Sequence, residues 1–153
     1  MDDKLKIIKS AVEDILSDLG VVCESDYSLD VDVYSVKLTP TDPNDAPLLI
    51  GYHGETLASL QSIIGLIVFK KTGEWLKLVL DVDGYREKRE GQLKALAESF
   101  ALQAVSSGQP VFLPPMTPSE RRVIHLSLEG RTDVYSESEG EGENRRLVIK
   151  PKQ

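Results

Sequence analysis

The chain has 153 residues, 41% of them hydrophobic and 28% charged, and a net charge of −7. These proportions suit a folded globular chain rather than a disordered one, and the longest apolar run, Ile63 to Phe69 with Gly65 inside it, falls far short of the roughly 20 residues that span a bilayer. A single cysteine, Cys23, and two distant histidines exclude an internal disulfide and a zinc set.

The opening "MDDKLKIIKS" has no signal-peptide core. With the lone cysteine, this leads us to expect a cytoplasmic protein with no membrane insertion. The charge is uneven. Residues 1–83 carry 7 basic and 15 acidic side chains, and residues 84–153 carry 11 and 10, so a net −8 gives way to +1. Such asymmetry points to two modules, 1–83 and 84–153.

The first module opens with a helix over 4–18, its apolar face made by Leu5, Ile8, Val12, Ile15 and Leu16 and its end set by Gly20. Alternation then predicts strands at about 21–27 and 31–39, with a turn near Ser28. A proline-rich loop leads to one helical turn in "APLLIG", then Gly51-Tyr52-His53-Gly54, then a helix over 55–71 that buries Leu57, Leu60, Ile64, Ile67 and Val68. Ile63 to Phe69 exceeds one helix face, so it is either fully buried or exposes an apolar patch. A strand over 74–83 follows, with Leu76, Leu78, Leu80 and Val82 on one face.

The second module begins with a helix over 85–107, whose core stripe is Leu93, Leu96, Ala97, Phe100, Ala101 and Ala104. "QPVFLPPM" reads as an extended connection. Thr117 to Glu120 has the capping-box pattern with Pro118 at the first helical position, and the helix it starts runs to Gly130. Two strands near 132–137 and 145–150 flank the acidic turn "SEGEGEN". The fold class is therefore α+β: helix–strand–strand–helix–GxxG–helix–strand, followed by a small two-helix, β-sheet domain.

Two motifs can carry chemistry. A glycine turn before a helix aims backbone N–H groups at a phosphate, aided by the positive end of the helix dipole; a plain turn with a helix cap is the alternative. Arg121 and His125 lie four apart on one helix face, where guanidinium and imidazole can hold a phosphate or stack on a base; a surface arginine beside a structural histidine is the alternative. Asp81 and Asp83 could hold Mg²⁺, although a strand end and helix cap explain them more simply, and Cys23 reads as core. No nucleophile–base–orienter set is visible, so no enzyme activity, cofactor or metal is expected.

"GQPVFLPPMTPSERRVIHLSL", followed by "GEGENRRLVIKP", resembles the single-stranded nucleic-acid-binding domain named for its Arg-x3-His spacing. With "LLIGYHGETLASLQ" and "DVDGYREKREGQL" ahead of it, the chain over about 21–151 resembles the bacterial Jag family, which joins a KH domain to an Arg-x3-His domain. The resemblance implies a bacterial-type (type II) KH fold for the first module, single-stranded RNA as partner, a further partner that is a small KH-only protein or a second copy, and a role in cell elongation and division. By position, Gly51, Tyr52, His53 and Gly54 match the KH loop, and Arg121 and His125 match the signature of the second domain. Arg122 adjoins them, and Arg86, Arg89, Arg145, Arg146 and Lys150 are candidates for a supporting basic surface.

Two departures from the family qualify these expectations. The loop holds Tyr52 and His53 where relatives usually place basic residues, so a charge-assisted contact of about 1.5–3 kcal/mol is missing. Stacking on the two rings is the remaining side-chain contact. The chain also starts almost at the KH position, as expected of a short form without the N-terminal Jag domain. The leading expectation is thus a non-enzymatic RNA-binding protein that works mainly through the second domain. The rival is a protein-interaction adaptor whose KH half dimerises and has lost RNA binding.

Overall fold

The structure, a computed structural model, describes residues 2–153. It is a mixed α+β chain with two compact units, Met1–Arg86 and Glu87–Gln153.

In the first unit, α1 (Asp3–Leu19) is started by the Asp2 carboxylate, which accepts from Lys4 N, and stopped by Gly20 in the left-handed conformation. Its buried stripe is Ile8, Ala11, Val12 and Leu16. Strands β1 (Cys23–Asp30) and β2 (Val33–Pro40) form an antiparallel hairpin whose register runs from Cys23↔Pro40 to Asp30↔Val33. The chain therefore turns at Val31–Asp32 and not near Ser28, which pairs with Ser35 in mid-ladder. Eight cross-strand pairs outweigh the local turn preference of a serine. Val31 consequently leaves the strand, sits at φ 57° and is 93% exposed.

A short helix, α2 (Asp45–Ile50), a 3-10 turn (Tyr52–Gly54) and α3 (Glu55–Thr72) cross over to β3 (Lys77–Val82), which pairs parallel to β2. The sheet order is β1-β2-β3. Tyr34, Val36, Leu38, Leu80 and Val82 form one core with the buried faces of α1 and α3, the latter supplying Leu57, Leu60, Ile64 and Val68. Ile63 and Leu66 remain exposed on α3, so the long apolar run presents an outward face.

In the second unit, α4 (Tyr85–Ser107) buries Leu93, Ala97, Ala101 and Ala104, with Leu96 and Phe100 half-buried. Part of the "QPVFLPPM" stretch is a strand, β4 (Val111–Phe112), because Val111 and Phe112 find Ile149 and Val148 as partners. Next come α5 (Pro118–Leu128) and the hairpin of β5 (Val134–Glu139) and β6 (Arg146–Pro151), giving the order β4-β6-β5. Residues 131–133 stay out of the first hairpin strand. There Arg131 grips Asp133 through two hydrogen bonds of 2.9 and 2.7 Å and also reaches Glu98 on α4. Ile124 and Leu128 from α5 pack with Val111, Leu113, Val134, Leu147 and Ile149 of the sheet. Among the described residues no helix is long and apolar enough to cross a membrane.

Candidate nucleic-acid interface

The glycine loop is built by backbone constraint. Gly51 has φ 71° and ψ −173°, and a Cβ there would lie 2.1 Å from Thr56 Oγ1. Gly54 has φ 79°, and its Cβ would meet the Tyr85 ring at 2.9 Å. Glycine is thus required at both ends on steric grounds. Between them His53 adopts φ 51°, and Tyr52, which is 72% exposed, stacks on His53 with ring centroids 4.0 Å apart.

The loop spends several of its own donors. Gly51 N–H goes to Pro47 O, Gly54 N–H to Gly51 O and Glu55 N–H to Tyr52 O. What it presents outward is chiefly the Tyr52–His53 ring pair, followed at once by the Glu55 carboxylate. That is a surface for stacking more than for charge.

Helix α5 positions the second set. Thr117 caps it, its Oγ1 accepting from Glu120 N at 3.3 Å, with Pro118 just inside. The carboxylate of Glu120, only 5% exposed, accepts from Arg89 Nε at 2.8 Å. Ile124 and Leu128 turn the helix toward the sheet. Arg122 and His125 are left exposed and Arg121 half-buried. His125 Nδ1 shares a hydrogen bond of 2.6 Å with Ser136 Oγ on β5. This bond fixes the ring and leaves Nε2 as the free edge. A hollow of about 180 Å³ adjoins it, lined by His125, Leu128, Arg131, Tyr135, Ser136 and Lys152.

The basic residues divide into two groups. Arg121 Nη1 donates to the carbonyls of Met116 and Arg145, tying the start of α5 to the β5–β6 hairpin. Arg145 in turn donates to Gly140 O at 3.1 Å, and the Arg146 guanidinium lies 5.0 Å from the centre of the Phe112 ring. Among the described residues Arg121, Arg122, Arg145 and Arg146 have no carboxylate partner. The other three are committed elsewhere. Arg86 bonds Leu80 O and Gln61, Arg89 bonds Glu120, and Lys150 is clamped between Glu137 and Glu139 at 2.7 and 3.2 Å. Those carboxylates also hold the Lys150 ammonium above its usual pKa, Glu137 most of all.

The seven basic side chains that sequence alone puts together therefore do not act as one surface. Arg86, Arg89 and Lys150 answer local structural needs. Sequence reasoning also missed Ser136 and Tyr135. The period-two alternation of β5 puts Ser136 on the same face as buried Val134, and that was the available signal. Asp81 serves the start of α4, accepting from Arg86 N at 3.2 Å. Among the described residues no group of three or more His, Cys, Asp or Glu is arranged to hold a metal.

Comparison with known proteins defines the class first. Residues 91–151 match the Arg-x3-His domain family. Individual relatives are then found over more of the chain. An RNA-binding protein KhpB from Clostridium symbiosum is 38% identical over 106 residues, 69% of this chain and 48% of that protein. The RNA-binding protein KhpB of Lactiplantibacillus plantarum is 38% identical over 136 residues, 88% of this chain and 41% of that one. That of Bacillus subtilis is 38% identical over 109 residues, covering 70% and 52%. The chain spans about half the length of the curated relatives it matches.

Proposed function

We propose that this chain is a non-enzymatic, cytoplasmic RNA-binding protein that grips single-stranded RNA through residues 84–153. The observation carrying this reading is the arrangement on α5. His125 is locked by Ser136 with Nε2 outward, and Arg122 and the Arg121–Arg145 pair flank it with no carboxylate to neutralise them. A phosphate takes the guanidinium groups, and a base fits the hollow beside Tyr135. Relatives named as RNA-binding proteins support the assignment.

In this reading residues 1–83 form a type II KH-like domain. Its support is the order of elements and the parallel β2–β3 pair. The Gly51–Gly54 loop makes a secondary contact by stacking Tyr52 and His53 on bases. The Jag resemblance adds a small KH-only protein as a partner and a regulatory role in cell elongation and division.

The test is a polarisation titration with a single-stranded RNA dodecamer. Arg121→Ala with His125→Ala should weaken binding tenfold or more. Because Arg121 also ties two backbone carbonyls, Arg122→Ala with His125→Gln separates contact from architecture and should weaken binding comparably. Unchanged affinity in both double variants would refute the site. A second reading, an adaptor that associates through α3, draws on exposed Ile63 and Leu66 and on Trp75 stacked on Phe69 at 4.4 Å. Partners captured from extract that survive nuclease treatment, with no RNA recovered, would favour it.

A further inference from the structure

The two edges of the first sheet are treated differently. On β3 the Leu80 peptide groups are closed by side chains, since Gln61 Oε1 accepts from Leu80 N and Arg86 Nε donates to Leu80 O. The outer edge of β1 has no strand beside it over its eight residues, Cys23–Asp30. Alongside it α1 leaves a hollow of about 430 Å³, lined by Glu13, Leu16, Val21, Cys23, Ser25 and Tyr27. Tyr27 brings to this hollow a hydroxyl oxygen that is buried and has no hydrogen bond. Burial raises the phenol above its usual pKa, and Ser25 opposes that shift without meeting hydrogen-bond geometry.

The register says what an added strand would need. Ser25 and Tyr27 pair with Leu38 and Val36, whose side chains are buried, so Cys23, Ser25, Tyr27 and Leu29 share the face toward the hollow. Glu24, Asp26 and Asp30 share the opposite, exposed face. A strand laid against β1 would therefore set alternate side chains into the hollow and beside three carboxylates.

We propose that the β1 edge takes up an extended segment of a partner protein in which small apolar residues alternate with Lys or Arg. The backbone edge supplies the ladder, the hollow takes the apolar side chains, and the carboxylates pair with the basic ones. The Tyr27 hydroxyl gains a partner on the incoming chain. A second copy is disfavoured because its β1 brings the same carboxylates edge to edge, and RNA is disfavoured by the same charges.

The test uses the full chain, labelled with ¹⁵N, and a capped heptapeptide of alternating Lys and Val. Controls are a peptide with Pro replacing Val and a peptide with Glu replacing Lys. Amide shifts should concentrate at residues 21–30, and exchange of the outward β1 amides should slow at least tenfold. The Pro peptide, with equal charge but fewer backbone donors, should bind at least tenfold more weakly. Exposed Glu24→Lys with Asp26→Lys should reverse the preference toward the Glu peptide, and Tyr27→Phe should weaken the Lys peptide about threefold. Shifts spread over the whole acidic surface, or equal binding of the Pro peptide, would overturn the proposal.

Discussion

Gly51 and His53 show how a few backbone angles decide what the loop presents. Gly51→Ala combines a left-handed φ with a Cβ 2.1 Å from Thr56 Oγ1. We expect a loss of about 2–4 kcal/mol, the sum of the conformational and overpacking costs. Gly73 also has a positive φ, 75°, but nothing lies within 4 Å of an added Cβ, so Gly73→Ala should cost only about 1–2 kcal/mol. Urea unfolding of the two variants measures the difference; equal losses would mean Thr56 yields freely. At the other site, Ser136→Ala releases His125 Nδ1. It should lower RNA affinity a few-fold with little change in unfolding midpoint, because the bonded ring is exposed and serves orientation more than stability.

Single elements are held by polar contacts that hydrophobic patterning does not reveal. Helix α5 rests on the nearly buried Glu120, which Arg89 neutralises at 2.8 Å. Glu120→Ala leaves that guanidinium uncompensated and should cost about 3 kcal/mol, read as a lowered unfolding midpoint. Thr117→Ala, which removes the cap, should cost about 1 kcal/mol. The start of β5 depends on Arg131, whose hydrogen bonds hold the Asp133 carboxyl below the usual aspartate range. A depressed folded pKa means the stabilisation is fully present above the unfolded value, about 3.9. It is lost as pH falls through the lower folded value. Wild type and Asp133→Asn should therefore differ in urea midpoint near neutrality and converge in strong acid. The pair is exposed, so the difference is modest.

Across the whole molecule, charge placement matters more than its total. The chain is acidic overall, at −7, yet the guanidinium groups of Arg121, Arg122, Arg145 and Arg146 stand without carboxylate partners among the described residues. If three or four of them meet phosphates, the logarithm of RNA affinity should fall against the logarithm of salt with a slope of about −2 to −3. Arg145→Ala with Arg146→Ala should make that slope shallower by about 1. A slope near zero in wild type would mean that stacking alone carries binding.

Much of this molecule is legible in the chain itself. Helical periodicity marks α1, α3, α4 and α5 to within a residue or two, and the Thr117–Pro118 start and the Gly20 and Gly73 stops are local chemistry. The positions of Gly51–Gly54 and of the Arg121 and His125 pair follow from spacing alone. What depends on distant partners could not be read this way. The β1–β2 turn moved from Ser28 to Val31–Asp32 because register is a property of two strands. The strand at Val111–Phe112 exists only because β6 lies beside it. Which arginines stay available was settled by Glu120, Gln61 and the carbonyl of Leu80, and which histidine edge is free was settled by Ser136. Local propensity acts through neighbours in the chain, whereas pairing and charge neutralisation act through neighbours in space.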